Sequence, residues 1–367
     1  MMRPNLPRNA EEMVRWYVRY VSPFALIAGF VADNLFFLRR VDLWSGNVLL
    51  FSYLAIAAAC IVAMNAIASG RARAPWMLKS APFIPVIAQF AFGGLFSGYL
   101  ALYSRSAAYS VSWIFVIIVA ALLLGNERFV RQYMKFSFQI SIFFTALFSF
   151  LIFFLPVVFR QIGPYMFFVS GAVSLCAITL LLALLYWLTP EIVMRERARV
   201  IRAIAIIFIA FNILYIINAI PPLPLALKDA GIYHDVERND DGTYRLIAEH
   251  MPWYEAYLRY NTSFHVQQGS SAYAFSAIFA PSGLSTVILH QWQRYDTSES
   301  QWVTVDTLRF PITGGRDGGY RGYSVKSGIT PGKWRVNVIT DYGQLIGRMS
   351  FTAYGNTSDV ELEELEK

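Results

Sequence analysis

Up to Ile220 the chain is a succession of long apolar runs; after it, apolar and polar residues alternate over short stretches. A helix needs about 20 mostly apolar residues, rising about 1.5 Å each, to cross about 30 Å of hydrocarbon. Seven stretches meet that length, at about 20–38, 47–68, 81–102, 107–124, 136–156, 165–188 and 202–220. The third and fourth are separated only by Tyr103-Ser104-Arg105-Ser106 and read as a helical hairpin. Beyond them the period changes to two, the signature of half-buried strands, with turn residues between segments. Candidate strands cover about 243–248, 252–259, 262–268, 272–279, 285–295, 301–310, 319–326, 333–340 and 344–354. In the eighth, Trp334, Val336 and Val338 point one way and Arg335, Asn337 and Ile339 the other; in the ninth, Leu345, Met349, Phe351 and Ala353 share a face. The pattern predicts a membrane all-α domain of about seven transmembrane helices over 1–220 and a linker over 221–242. An all-β, immunoglobulin-like sandwich over 243–356 and a solvated acidic tail over 357–367 follow.

Composition supports the division. The chain is 56% hydrophobic and 15% charged, against about 45–50% and about 25% in soluble domains. Residues 1–220 carry 18 Lys and Arg against 7 Asp and Glu, whereas residues 221–367 carry 13 against 17. A nucleic-acid partner would need clustered cations on a soluble face, and the soluble half is mildly acidic. Both cysteines, Cys60 and Cys176, lie in apolar runs, so no disulfide is expected in the β domain. No small-residue cleavage site closes the first apolar run before Arg39-Arg40, so a cleaved signal peptide is not expected.

Loop charge gives the orientation. The N-terminal segment and the second, fourth and sixth loops hold 14 Lys and Arg (Arg71, Arg73, Lys79 and Arg195 among them); the opposite side holds Arg39, Arg40, Arg105 and Arg160. The positive-inside rule puts the N-terminus in the cytoplasm, and an odd number of spans puts the β domain outside.

One ordered set of motifs carries a family resemblance. It runs His290-x-Trp292, Tyr320-Arg321-x-Tyr323-Ser324-x-Lys326, Gly332-x-Trp334-Arg335-Val336, then Gly343 and Phe351. Over about residues 285–354 this resembles the bacterial domain-of-unknown-function family twenty-nine-fourteen, often found after a multi-pass membrane region. The resemblance implies a bacterial envelope protein of the cytoplasmic (inner) membrane with a periplasmic C-terminal domain; it brings no activity.

The candidate ligand or partner surface is a polar ridge on the strands 285–295 and 319–326, taken as paired: His290, Trp292, Arg294, Tyr320, Arg321, Tyr323 and Lys326, with Arg335 beyond. Aromatic faces stack on sugar or peptide, and guanidinium forks match carboxylate or phosphate. Equally, Trp292 and Trp334 read as core residues. A Ser324–His290–Asp306 triad can be drawn, but no Gly-x-Ser-x-Gly elbow surrounds Ser324, and triads are recognised by geometry. His234, His250, His265 and His290 fit no metal-ligand spacing, so no metal or other cofactor is expected and the imidazoles read as scattered. The Gly314–Gly319 loop lacks the Lys-Ser/Thr and helix of a phosphate-binding loop and reads as a flexible hairpin turn. In the helices, the intramembrane polar residues Asp33 and Asn34, near the outer end of the first span, read as an outer-leaflet anchor or as part of a polar pocket, and Asn65, Gln89, Gln139, Asn212 and Asn218 read as links between helices.

Two functions compete. The first is a non-catalytic protein, embedded in the lipid bilayer, whose β-sandwich binds an envelope protein or a glycan. The alternative is a membrane enzyme or carrier for a lipid-linked substrate at Asp33-Asn34, with the β domain as lid or acceptor site.

Overall fold

In the computed structural model the described residues are 31, 43–106, 112–126, 132–250, 260–266, 271–355 and 360–367. They form a helical unit ending at Ile220 and a β-rich unit that runs from Pro221 onward and also takes in Arg160–Gly163 and the described ends of Arg105–Trp113.

The helical unit contains α1 (Trp44–Ala68), α2 (Pro75–Ser80), α3 (Ile84–Ser106), α4 (Trp113–Asn126), α5 (Phe136–Phe159), α6 (Pro164–Leu188) and α7 (Pro190–Ile216). Five of them (α1, α3, α5, α6 and α7) are long and apolar enough to cross a membrane. The fourth expected span is represented by the 14-residue α4, and the first falls almost wholly outside the described residues. Ser104 and Arg105, read as a link, instead continue α3. Likewise α7 begins at Pro190, so Arg195–Arg202 is helical rather than loop. The reason is local: Pro190 suits the first turn of a helix, and Arg and Glu are good helix formers.

The central helix is α5. Its Phe148 ring stacks on Phe211 of α7 at 4.6 Å and lies 5.8 Å from Phe167 of α6. Two of the expected amides link helices, Asn65 of α1 donating to Gln139 Oε1 of α5 at 2.7 Å. Between α3 and α4 the linking amide is that of Asn126, whose Nδ2 donates to the Gln89 backbone carbonyl at 2.9 Å, and Asn212 bonds its own helix.

The β unit has eleven strands: β1 (Ala226–Tyr233), β2 (Asp235–Arg238), β3 (Tyr244–Glu249), β4 (Ser263–Val266), β5 (Ser271–Phe279), β6 (Ser285–Asp296), β7 (Gln301–Thr313), β8 (Tyr320–Ser327), β9 (Gly332–Thr340), β10 (Leu345–Gly355) and β11 (Leu362–Glu366). They make sheets of order β4-β10-β9-β6-β7, β1-β5-β8 and β11-β3-β2. Pairing is antiparallel except between β4 and β10. The stretch read as a linker thus carries β1 and β2, and the acidic tail carries β11, which pairs with β3.

Strand β5 explains the layering. Its even positions Ala272, Ala274 and Ile278 enter a core with Ile288, Trp292, Val336, Val338, Met349 and Phe351 of the five-stranded sheet. Its odd positions Phe275 and Ala277 enter a second core with Tyr233, Val236, Tyr244 and Leu246. A strand buried on both faces reads as a near-continuous apolar run, here Ala274–Phe279, broken by Ser276 alone. The unit therefore has three layers where the alternation suggested two sheets.

Candidate ligand-binding face

The alternation fixes which side chains leave the core of the five-stranded sheet. On β9, Trp334, Val336 and Val338 are buried inward, so Arg335, Asn337 and Ile339 face out. On β6, Ile288, His290 and Trp292 are inward, so Gln291, Gln293 and Tyr295 face out. Trp302 and Thr304 of β7 stand opposite Tyr295 and Gln293, and Arg348 of β10 opposite Asn337.

These outward residues form one hydrogen-bonded cluster. Arg335 Nε donates to Gln293 Oε1 at 2.6 Å, and Arg348 Nε to Asn337 Oδ1 at 2.6 Å. Asn337 Nδ2 donates to Gln291 Oε1 at 3.0 Å and Gln293 Oε1 at 3.1 Å. Gln293 Nε2 donates to Gln291 Oε1 at 3.1 Å and Thr304 Oγ1 at 3.0 Å. The Arg335 guanidinium lies over the Trp302 ring at 4.2 Å, and Tyr295 meets Trp302 edge-on at 5.3 Å. Desolvation, and then the neighbouring Arg348 charge, push Arg335 down to about 10. Desolvation lowers Arg348 as well. Among the described residues neither guanidinium meets a carboxylate.

The ridge expected from sequence is not assembled. Strand β6 pairs with β7 and β9, whereas β8 pairs with β5 in another sheet. His290 and Trp292 are fully buried, because they share parity with Ile288 and that face is core. Arg294 is exposed at the end of β6, Tyr320 packs against the core, and Arg321 lends its backbone carbonyl to the Tyr244 hydroxyl at 3.4 Å. Tyr323 lies beside Tyr273 and Tyr244, and Lys326 is paired with Asp306 at 3.1 Å. Only Arg335 of that set belongs to the outer cluster. Asp33 and Asn34 lie outside the described residues.

The buried imidazole is structural. His290 Nε2 lies 2.8 Å from Ser276 Oγ, and Nδ1 2.9 Å from Ser324 Oγ. Trp292 Nε1 donates to Ser324 Oγ at 3.1 Å. The serine proton is then available for Nδ1, leaving Nε2–H to donate to Ser276, a neutral and fully bonded arrangement. Burial pushes His290 down to about 3. Asp306, the third member of the drawn triad, bonds Lys326 instead, so no acid–base relay forms.

Two other histidines converge on one carboxylate rather than scattering. Glu249 Oε1 meets His234 Nε2 at 2.8 Å, and Oε2 meets His265 Nδ1 at 2.8 Å. Burial raises the Glu249 pKa, but hydrogen bonds from both imidazoles and the His265 backbone N–H outweigh it, and the net shift is downward. This clasp joins β3 to β4, 16 residues on, and so ties two sheets together. Nothing in local sequence spacing announces it.

The outer cluster coincides with the one segment that comparison recognises. Residues 285–353 match the family model of a protein of unknown function, DUF2914. The matched segment contains Gln291, Gln293, Thr304, Arg335, Asn337 and Arg348, that is, the whole hydrogen-bonded cluster, together with Trp302. No curated protein matches the chain. Among solved structures, the Pseudomonas fluorescens alkylpurine DNA glycosylase AlkC, bound to DNA containing an abasic site analog, is similar with a TM-score of 0.21 and 10% identity. That alignment covers 86% of this chain and 100% of the other. A score so low carries no argument about fold or function.

Proposed function

We propose that this is an integral protein of the bacterial cytoplasmic membrane whose β unit, held outside, binds an envelope partner or glycan without catalysis. The observation that carries the reading is the division of polar groups in the β unit. His290 and Ser324 are sealed in the core and His234 and His265 are both engaged by Glu249, while amides, guanidiniums and rings collect on the outer sheet face. Binding sites need such fixed polar groups beside aromatic surface.

Lipid as the solvent of the helical unit is supported by what its helices leave uncovered. Leu180, Ile206, Ile216 and Trp187 are 71%, 67%, 72% and 73% exposed, an outward display that water disfavours and hydrocarbon does not. Orientation draws support from Arg71, which donates to the Trp187 carbonyl at 2.9 Å. The basic link after α1 therefore stands at the same end of the bundle as the start of α7, where Arg195–Arg202 cluster.

The test places a photo-crosslinking residue in the full-length protein, in cells, at Thr304 or Ser350 on the outer face and at Val325 on β8 as control. Covalent adducts from the two outer positions and none from the control are expected. Equal yields at all three, or none at any, would remove the outer face as the binding surface.

A further inference from the structure

The outer cluster has a donor–acceptor imbalance that defines its ligand. Gln291 Oε1 and Gln293 Oε1 each accept two hydrogen bonds, and Asn337 Oδ1 accepts the Arg348 Nε. Every amide oxygen of the cluster is thus engaged. What stays unspent among the described residues is of one kind: Gln291 Nε2 and the terminal Nη nitrogens of Arg335 and Arg348, all of them donors. The two guanidiniums stand diagonally across β9 and β10, since Arg335 faces Ser350 while Arg348 faces Asn337. Diagonal neighbours lie about 7–8 Å apart, a spacing that two arginine forks can close around one group. Each fork is pre-oriented through its Nε, and the Arg335 plane is fixed by Trp302.

Two half-buried like charges with no acid between them repel each other, and an anion seated between them turns that repulsion into attraction. We infer that Arg335 and Arg348, with Gln291 beside them, form a binding site for the carboxylate of an acidic carbohydrate. A carbohydrate is favoured over an acidic peptide by the same accounting. A peptide brings a row of N–H donors, for which the amide oxygens of this cluster keep only the second lone pair of Asn337 Oδ1, whereas sugar hydroxyls can rotate to accept. Trp302 and Tyr295 add the ring surface on which a pyranose packs. The inference rests on the reading of the outer face as a binding surface, and names what it takes.

The test uses the full-length protein in nanodiscs and measures binding of tetragalacturonic acid by calorimetry at low and high salt. Beside it run neutral maltotetraose, inorganic phosphate and a tetraglutamate peptide. Tetragalacturonate is expected to bind more tightly than all three, more weakly at high salt. Its affinity should fall about ten- to a hundredfold in Arg335→Gln and in Arg348→Gln, the range for losing charge-assisted hydrogen bonds. It should be unchanged in Arg238→Ala, an exposed cation on β2. Thermal midpoints of the Gln variants should equal or exceed that of the parent, because one of two repelling charges is gone. Equal affinity for peptide or phosphate would overturn the carbohydrate assignment. Absence of anion binding, or binding indifferent to both arginine variants, would overturn the site. In either case crosslinks from Thr304 and Ser350 would still report on the binding face itself.

Discussion

His290 illustrates how strand parity overrides the chemistry of a side chain. Set between Ile288 and Trp292 two residues to either side, it goes wherever they go, and they go into the core. The consequence is a pH dependence. An unfolded imidazole takes up its proton near pH 6.5, but the buried one only near 3. Below about 6.5 the unfolded chain binds a proton that the folded chain refuses. Stability should then fall with acidification by up to about 1.4 kcal/mol per pH unit until the folded value is reached. Glu249 acts in the same direction lower down: its pKa is depressed by folding, so its contribution is complete above the ordinary carboxylate range and lost as pH falls through it. Thermal denaturation of the full-length protein in detergent from pH 7 to 5 should show the first slope, and His290→Gln should flatten it. A slope unchanged in that variant would assign the effect elsewhere. The parity argument makes a second prediction. Trp292→Ala should cost about 3–5 kcal/mol, as truncation of a buried aromatic does, whereas Arg294→Ala, exposed at the end of the same strand, should stay within about 0.5 kcal/mol. Sequence alternation alone reveals that residues 288, 290 and 292 share a face; it does not say which face is covered. A face with His and Trp resembles a ligand surface by composition, and here it is core. The better indicator is the opposite parity from residue 291 onward, where Val287 and Leu289 give way to Gln291, Gln293 and Tyr295.

Elements built from local signals were legible, and those built from distant partners were not. The alternation of β9 and β10 and the turn at Gly343, whose φ is +82°, follow from neighbouring residues alone. By contrast β11 is Leu362-Glu363-Glu364-Leu365-Glu366, a composition depleted in strands. It is extended because β3 offers an open edge, and because Lys367 reaches Asp229 at 2.6 Å and the Tyr233 hydroxyl at 3.1 Å. Strand β1 was hidden for a related reason: an irregularity between Leu227 and Asp229 breaks its alternation. Deleting residues 361–367 should therefore destabilise the β unit by about 2 kcal/mol, the scale of a few net hydrogen bonds, where a solvated tail would cost nothing. Calorimetry of the truncated full-length protein checks this. The Gly314–Gly319 loop makes the point in reverse. Its composition suggests a flexible hairpin, yet it carries the chain from β7 to β8, which belong to different sheets. Gly314 and Gly315 donate to the carbonyls of Leu284 and Ala280 at 2.9 and 3.0 Å. A Cβ on Gly314 would sit 1.9 Å from the Pro281 carbonyl oxygen. Its glycine serves close backbone approach, so Gly314→Ala should lower the thermal midpoint by several degrees, while Gly318→Ala, whose Cβ would meet only the Arg321 side-chain tip at 4.0 Å, should be silent.

For the whole molecule the side on which the β unit emerges can be argued without counting every span. Helix α7 has 27 residues, about 40 Å at 1.5 Å each, some 10 Å more than the hydrocarbon it would cross. Its first turns can thus stand in the headgroup region with Arg195, while Arg197, Arg199 and Arg202 reach back to that region along their long side chains and the apolar stretch from Ala203 to Ile216 lies in the lipid. Such a cluster is retained on the side of synthesis. The link after α1, with Arg71 and Arg73, is held at the same end by the Arg71–Trp187 hydrogen bond. In the proposed orientation two basic segments far apart in sequence share one side, and α7 would carry the chain to the other. Only the direction of α7 enters this reasoning, so it stands whether six or seven helices cross. The expected outcome is that alkaline phosphatase joined after Lys367 through a flexible linker is active in cells, while a green fluorescent protein at the same point stays dark. Substituting Gln for the four arginines of α7 should shift part of the population toward the opposite pattern, with the Arg71 segment limiting the shift. A bright fluorescent fusion in the parent protein would place the outer sheet face in the cytoplasm, and with it away from any envelope glycan.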